Sequence, residues 1–146
     1  MQSKLNSCGN RSKCPINALV EVVGDQWSLL ILRDMIFSNK SHFSEFKSAD
    51  EGVATNILSA RLNHLITHGL VEKFPDPVDG RASIYLPTDR ALDLIPVLLA
   101  AMAWSEQHMP DTKQNTQVIQ AYRADPKTLA DMVAANSREF RRKTLK

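Results

Sequence analysis

The most constraining feature of the sequence is the stretch 41–70, in which two short amphipathic segments flank a turn around Gly52. In the second segment, leucine and isoleucine residues recur every three or four positions, which predicts a helix with one buried face. Small polar residues occupy the opposite face of that helix. A short helix, a glycine turn and a longer amphipathic helix, in this order, predict a helix-turn-helix.

Two helices are predicted before this motif. The first begins at Cys14 and Pro15 and ends at Gly24, because proline suits the first turn of a helix and glycine its end. The second follows Asp25, a favourable N-cap residue, and is apolar on nearly every side, which indicates the central helix of the core. Another N-cap is predicted at Ser41, directly before the first helix of the motif.

A β-hairpin and three more helices are predicted after the motif. Residues 71–74 and 82–86 have the composition of strands, and the loop between them is rich in turn-forming residues. The long helix that follows contains Pro96, which predicts a kink or an early break. Apolar residues at helical spacing predict two final helices over residues 116–122 and about 126–142.

Charge gives only weak support for a nucleic-acid partner. The net charge is +2, and the basic excess lies at the two ends: residues 1–13 hold three basic and no acidic residues, and residues 138–146 hold five basic and one acidic. The residues between them therefore carry −5. Domains that bind nucleic acids commonly present a basic face, so composition alone does not predict DNA binding.

Several short motifs occur in the order typical of one family of regulators. They are a Cys-Pro start with W-x-L-x-I-L in residues 14–35, F-x-E-F and G-V-x-x-x-x-L-x-x-R-L-x-x-L in residues 42–73, and Y-x-x-T in residues 84–105. Through these motifs the chain resembles the HxlR-type transcriptional regulators over most of its length. It departs from the family pattern at Ala91, where glycine is usual, and at Pro87. Neither departure falls in the second helix of the motif.

The resemblance implies a mostly helical winged helix-turn-helix with a small β-hairpin, in a protein that binds double-stranded DNA as a homodimer. In this family the second motif helix enters the major groove, the hairpin or wing follows the DNA backbone, and the subunits pair through the N-terminal helix and the helix after the wing. We therefore expect a flexible basic arm at residues 1–13, a DNA-binding and dimerisation domain at 14–109, and a helical extension with a basic tail at 110–146.

The same resemblance suggests which residues pair two subunits. The expected dimer interface consists of Ile16, Leu19, Trp27, Leu98, Met102 and Trp104. The two tryptophans suit either an interface or the core of the subunit. A small-molecule pocket between these helices is compatible with the sequence, which does not define one.

The second motif helix has the composition expected of a helix that contacts DNA. With its leucines inward, its outward face presents asparagine, serine, threonine and alanine, which can contact base edges, phosphates and thymine methyl groups. For Arg61, a phosphate contact and a bond within the domain are both open. Lys47 and the basic chain ends can add non-specific attraction to phosphates. The predicted DNA-contacting residues are Ser41, Thr55, Asn56, Ser59, Ala60, Arg61, Asn63, Lys73 and Arg81.

Cys14 has two interpretations. It stands beside Lys13 at a helix N-terminus, where the helix dipole and the lysine charge favour the reactive thiolate. Some regulators of the resembled family sense oxidants or electrophiles through a cysteine in this position. One hypothesis is therefore a sensor formed by Cys14 with Cys8 or with Cys14 of the partner subunit, and the other is a packing cysteine. The start of the chain has no secretory pattern, so we expect a cytoplasmic protein without a structural disulfide.

No pattern in the sequence indicates catalysis, a cofactor or a metal. There is no glycine-rich phosphate loop and no nucleophile elbow, so an enzyme is the weakest functional class. His64 and His68 lack accompanying ligands at suitable spacing, and we expect them to face the wing. No apolar run approaches the ~20 residues needed to span a membrane. The alternative to a DNA-binding regulator is a winged-helix module for protein interaction, which the acidic middle of the chain slightly favours.

Overall fold

The computed structural model describes residues 10–113 and 115–146. Eight helices and one antiparallel hairpin follow one another within these residues. The helices are α1 (Pro15–Val23), α2 (Ser28–Ser38), α3 (Phe43–Lys47), α4 (Thr55–Thr67), α5 (Asp89–Leu92), α6 (Ile95–His108), α7 (Thr116–Ala124) and α8 (Pro126–Thr144), and the strands are β1 (Val71–Pro75) and β2 (Ser83–Pro87). The predicted mostly helical fold with a small hairpin is confirmed.

Helix α2 lies at the centre of the core because most of its surface is apolar. It packs against α4, α8 and β2. Leu58, Leu62 and Leu65 of α4 are almost completely buried in the same core. The predicted apolar period of α4 is therefore confirmed, and it fixes which side of this helix faces outward.

Two glycines allow the chain to turn, one before α4 and one after it. Gly52, in the turn between α3 and α4, has a φ of +68°, and Gly69, which follows the C-cap residue of α4, has a φ of +70°. Both values lie in the left-handed region, which glycine adopts without the steric cost of a side chain. The Nζ of Lys47 donates a hydrogen bond of 2.7 Å to the carbonyl oxygen of Val53. This bond closes the turn of the helix-turn-helix.

The helix starts differ from the sequence prediction at α2 and at α3. The N-cap of α2 is Trp27 rather than Asp25, although the Asp25 carboxylate accepts hydrogen bonds from the backbone N–H groups of Trp27 and Ser28. The N-cap of α3 is His42 rather than Ser41. The Glu45 carboxylate accepts hydrogen bonds from the backbone N–H groups of both residues. This capping box moves the start of α3 one residue beyond the predicted position.

The wing is the hairpin formed by β1 and β2, with Val71 opposite Pro87 and Pro75 opposite Ser83. Each strand begins and ends within a residue of its predicted bounds. The long helix predicted after the wing is instead two helices, α5 and α6, and Pro96 lies in the first turn of α6. Proline cannot donate a backbone hydrogen bond within a helix, so the early break is confirmed.

Helices α7 and α8 pack onto the rest of the chain. Helix α8 contacts α2, α6 and α7. Its residues Ala134 and Ser137 are buried, and so is Ile119 of α7. The C-terminal extension therefore shares the hydrophobic core of the preceding helices. None of the helices in the described residues is long and apolar enough to cross a membrane.

Candidate nucleic-acid interface

The outward face of α4 is polar and accessible to solvent. The N-cap of α4 is Ala54, and no side chain of the described residues caps the helix there. The backbone N–H groups of the first turn, at the positive end of the helix dipole, are therefore available to an anion. The predicted contact residues that are exposed on α4 are Thr55, Asn56, Ser59, Ala60 and Asn63.

Arg61 lies at the edge of this face and is bound within the domain. Its Nη1 is 3.5 Å from Oδ2 of Asp25. Partial burial raises the pKa of Asp25, but hydrogen bonds from Ser28 and from the backbone N–H groups of Trp27 and Ser28, together with the charge of Arg61, lower it overall. Asp25 therefore stays ionised, and of the two roles open to Arg61 the structure shows the bond within the domain.

Ser41 lies outside the exposed surface. Its side chain is buried, and its Oγ is 3.2 Å from Nδ1 of His42. Its carbonyl oxygen accepts a 2.8 Å hydrogen bond from the backbone N–H of Tyr85. Ser41 thus joins the start of α3 to β2. The prediction that it contacts DNA is wrong, because its side chain is covered by the domain.

The wing exposes two basic residues that were predicted to contact DNA, and acidic residues lie near them. Lys73 and Arg81 are exposed, and the Nζ of Lys73 lies 5.7 Å from the centre of the Tyr85 ring. The loop at the tip of the wing also contains Asp76 and Asp79, whose carboxylates accept backbone hydrogen bonds within the loop. The positive charge that the wing could offer to phosphates is therefore small.

His42 connects α3 to the tip of the wing. Its Nε2 is 2.8 Å from Oδ2 of Asp76, and its Nδ1 is 3.4 Å from Oε2 of Glu45. The hydrogen bond with Asp76, and then that with Glu45, raise the pKa of His42 above its usual value although partial burial opposes the shift. The connection is therefore strongest when the imidazole is protonated.

A second set of contacts holds the base of the wing, and we call it the wing-base contacts. Nη1 of Arg141, on α8, donates a hydrogen bond of 3.1 Å to the carbonyl oxygen of Pro87, and Nη2 donates to the carboxylate of Glu72. The guanidinium lies 5.3 Å from the centre of the Phe74 ring, within the range of a cation–π interaction. One arginine thus joins α8 to both strands of the wing.

The sequence of the chain matches the pattern of the HxlR-like helix-turn-helix family over residues 22–113. This chain belongs to the HxlR family. The matched region contains α2 to α6 and the wing, which are the elements that form the candidate interface. It ends before α7 and α8, so the wing-base contacts join a family element to a helix outside the matched region.

Individual relatives agree with this assignment. The chain is 30% identical over 95 residues to the HTH-type transcriptional regulator Rv3095 of Mycobacterium tuberculosis, a match that covers 65% of this chain and 59% of that protein. The match thus spans less than two thirds of the relative's length. Sll1512 of Synechocystis, also an HTH-type transcriptional regulator, is 32% identical over 98 residues, which are 64% of this chain and 72% of that protein.

Two solved structures have a fold similar to that of this chain. The crystal structure of PA1607, a proposed transcription factor, has a TM-score of 0.65 at 36% identity and covers 72% of this chain and 73% of that chain. The redox regulator HypR in its oxidised form has a TM-score of 0.58 at 24% identity; at this identity the likeness shows the fold alone. The predicted winged helix-turn-helix is confirmed. The HxlR region of this chain, residues 22–113, is thus of a kind that is found in HTH-type transcriptional regulators.

The residues predicted to pair two HxlR subunits fall into exposed and buried groups. Ile16 is 72% exposed and Trp104 is 56% exposed. Val20, one turn after Ile16, is exposed as well. Leu98 lies in the core of its own subunit, so its predicted place at the interface is wrong. Three others are half-buried and pack against that core: Leu19, Trp27 and Met102.

Histidines 64 and 68 have contacts that the sequence did not predict. Nε2 of His64 is 2.8 Å from the carbonyl oxygen of Val22, and Nδ1 of His68 is 2.9 Å from the carbonyl oxygen of His64. His64 therefore faces α1, and the prediction that it faces the wing is wrong. In residues 10–113 and 115–146, no three His, Cys, Asp or Glu side chains are grouped as metal ligands would be.

Several basic residues near the two ends of the described chain form ion pairs, which their composition alone did not predict. Residues 138–144 are helical, and Arg138 pairs with Asp89 of α5 at 2.8 Å. Arg142 pairs with Glu139. The segment up to residue 144 is therefore part of α8. Of the predicted arm 1–13, the described part begins at residue 10, and Arg11 pairs with Glu21 of α1 at 2.5 Å.

Cys14 is an exposed, free cysteine at the N-cap of α1. Its backbone N–H donates a hydrogen bond of 3.3 Å to Oγ of Ser12. Cys8, its predicted companion, lies outside the described residues. The exposure of Cys14 agrees with a reactive thiol better than with a packing role, and the sensor hypothesis stays a prediction.

The contacts of His42 predict a specific pH dependence of stability. Because its pKa is raised in the folded protein, the stabilisation is fully present below the unfolded pKa of about 6.5 and is lost as the pH rises through the folded pKa. His42→Gln should therefore lower the melting temperature most at pH 6 and least at pH 9, as measured by circular dichroism. The exposed His108→Gln should preserve the pH profile of the original chain. An equal loss for His42→Gln at both pH values would contradict the proposed charged connection.

Proposed function

We propose that this HxlR regulator represses transcription by binding double-stranded DNA as a homodimer, with α4 in the major groove. The observation that carries the proposal is the division of α4 into two faces. Three leucines on one face are buried in the core, while five small side chains on the other are exposed. Of the large apolar side chains of α4, Ile57 is exposed, at 38%.

The exposed face of α4 matches the chemistry of base edges. An asparagine amide can donate to and accept from adenine, serine and threonine can contact bases or phosphates, and alanine can touch a thymine methyl group. Asn56 and Asn63 are two turns apart, about 10 Å along the helix axis, which corresponds to about three base pairs. The proposed helix thus contacts one short half-site.

The wing is proposed to position the domain on the DNA backbone. His42 holds its tip and Arg141 holds its base, so Lys73 and Arg81 are presented from a hairpin fixed at both ends. Because the two cations of the wing lie beside two acidic residues, Asp76 and Asp79, binding should depend on salt concentration less steeply than in a strongly basic domain. Affinity would then require two subunits acting together.

The proposed dimer places the two copies of α4 about 34 Å apart, one turn of DNA, on a pseudo-palindromic operator. Ile16 and Val20 on α1 and Trp104 on α6 support this part of the proposal, because they are large apolar side chains left exposed in one subunit. In a two-fold symmetric interface, each subunit contributes its own copy of each of these residues. The proposal includes a cytoplasmic location, where such a regulator meets DNA.

One observation favours the alternative of a protein-interaction module. Val78 at the tip of the wing is 96% exposed and stands between Asp76 and Asp79. An acidic tip with an apolar residue suits a basic protein partner better than a phosphate backbone. A chain that fails to bind any double-stranded DNA would support this alternative.

Asn56→Ala tests the proposed recognition by α4. It should weaken binding to DNA from the chain's own upstream region by about 1–3 kcal/mol, because one specific base contact is lost. Binding to random DNA should change little. Fluorescence anisotropy at fixed salt measures both, and Gln120→Ala, an exposed amide on α7, is the control. Equal losses on specific and random DNA would contradict a base contact.

Ile16→Asp tests the proposed dimer. Burying this side chain against a second subunit would contribute about 1.5–3 kcal/mol for each copy, and a charge there would remove that gain. Analytical ultracentrifugation should show a monomer at concentrations where the unchanged chain is a dimer. Thr116→Asp, at the exposed first turn of α7, should leave the dimer intact. A dimer that survives Ile16→Asp would place the interface elsewhere.

Oxidation tests the proposed sensor at Cys14. Diamide, which takes two electrons and two protons from a pair of thiols as they form a disulfide, should change the affinity for the operator. Cys14→Ser should remove this response because the exposed thiol is absent. Gel shifts with and without the oxidant measure the effect. A response that persists in Cys14→Ser would exclude Cys14 as the sensor.

A further inference from the structure

A groove of about 370 Å³ lies between α2 and α8. Its apolar lining consists of Ile36, which is buried, and of Phe37, Val133 and Phe140, which are half-buried. The volume is within the range of sites that bind small molecules. Two phenylalanine rings, one from each helix, could contact an aromatic ligand through offset or edge-to-face packing.

The groove also has polar groups that suit an anionic ligand. The amides of Asn39 and Asn136 line it, and neither makes a hydrogen bond with another group of the described chain. Lys143 lines it as well. Three donors of hydrogen bonds, one of them charged, therefore accompany the two aromatic rings.

The one carboxylate in the lining is neutralised by its neighbours. Nε and Nη2 of Arg142 donate hydrogen bonds of 2.8 and 2.6 Å to Glu139. These bonds are the main reason that the pKa of Glu139 is lowered to about 2. Nζ of Lys143 is farther away, at 3.5 Å from the same carboxylate. The Glu139 carboxylate is thus held mainly by Arg142, which lies outside the lining, and Lys143 makes only the longer contact with it.

We propose that this groove binds a small aromatic carboxylate, which acts as an effector of the regulator. The carboxylate would accept hydrogen bonds from Lys143 and from the two asparagine amides, and the ring would pack between Phe37 and Phe140. Helix α8 lies beyond the region 22–113 that matches the family pattern. The site is therefore built partly from a segment that the matched family region does not include.

A ligand in the groove would touch both helices that position the DNA-binding elements. Helix α2 packs against α4 and β2. Helix α8 carries Arg141 and hence the wing-base contacts. A change in the separation of α2 and α8 would move the wing relative to α4. The effector role rests on the proposed DNA binding, whereas ligand binding itself does not.

Calorimetric titration of the full chain with phenylacetate, 3-phenylpropanoate and cinnamate tests the site. Each acid should bind at least about tenfold more tightly than its neutral amide, because a charge-assisted hydrogen bond is lost in the amide. Lys143→Gln should weaken binding of the acids by about the same factor. Lys127→Gln is the matched control, since Lys127 also lies on α8 and pairs with an acidic residue four positions away. It should bind as the unchanged chain does.

Two further variants distinguish a loss of ligand binding from a failure of the chain to fold. Val133→Trp should fill the groove and abolish binding, and circular dichroism shows whether it folds. Asn136→Ala changes an exposed side chain and should weaken binding of the acids without affecting stability. The proposal is overturned if no acid binds at millimolar concentration, if acids and amides bind equally, or if Lys143→Gln has no effect.

Anisotropy measurements with operator DNA test the effector role. A bound acid should change the affinity of the unchanged chain for DNA, and the change should disappear in Lys143→Gln. If the acid binds but DNA affinity stays constant, the effector role is overturned. If the chain without ligand binds no DNA, the proposed function fails, and the calorimetric result still decides whether the groove is a site.

Discussion

The packing of α4 against the core determines the rest of the interface. Its three buried leucines leave the helix only one orientation, because rotating it would expose these side chains to water and bury asparagines without partners. The outward face is then fixed without any contact made by its own residues. Substitutions on that face, which we propose contacts DNA, should therefore cost little stability.

Charges in this protein are used mainly to position elements. His42 with Asp76 and Arg141 with Glu72 hold the wing at two places, and Arg61 with Asp25 joins α4 to the start of α2. These pairs connect residues that are distant in sequence, so each fixes the relative placement of two elements. The weak net charge of +2 follows from the near-equal numbers of basic and acidic residues, 18 and 16.

The positions of the helices and strands could be predicted from the sequence better than the contacts between distant segments. The periodic spacing of apolar residues predicted α4, and Pro96 predicted the break after α5. Both predictions depend on residues that are close together in the sequence. The burial of Leu98 and Ser41 depends on which distant segment covers them, and local pattern has no information on that. The same limit applies to Arg138 and Arg141, whose acidic partners lie 49 and 69 positions away. The groove between α2 and α8 could not be predicted for this reason.

The wing-base contacts affect the order in which parts of the protein fold during its synthesis. Glu72 is made 69 residues before Arg141, and at about 5–20 residues per second this interval lasts several seconds. Until α8 has left the ribosome, the wing strands have no guanidinium to hold them. A nascent chain that already contains the complete helix-turn-helix therefore has a wing held by His42 and Ser41 but not yet by Arg141.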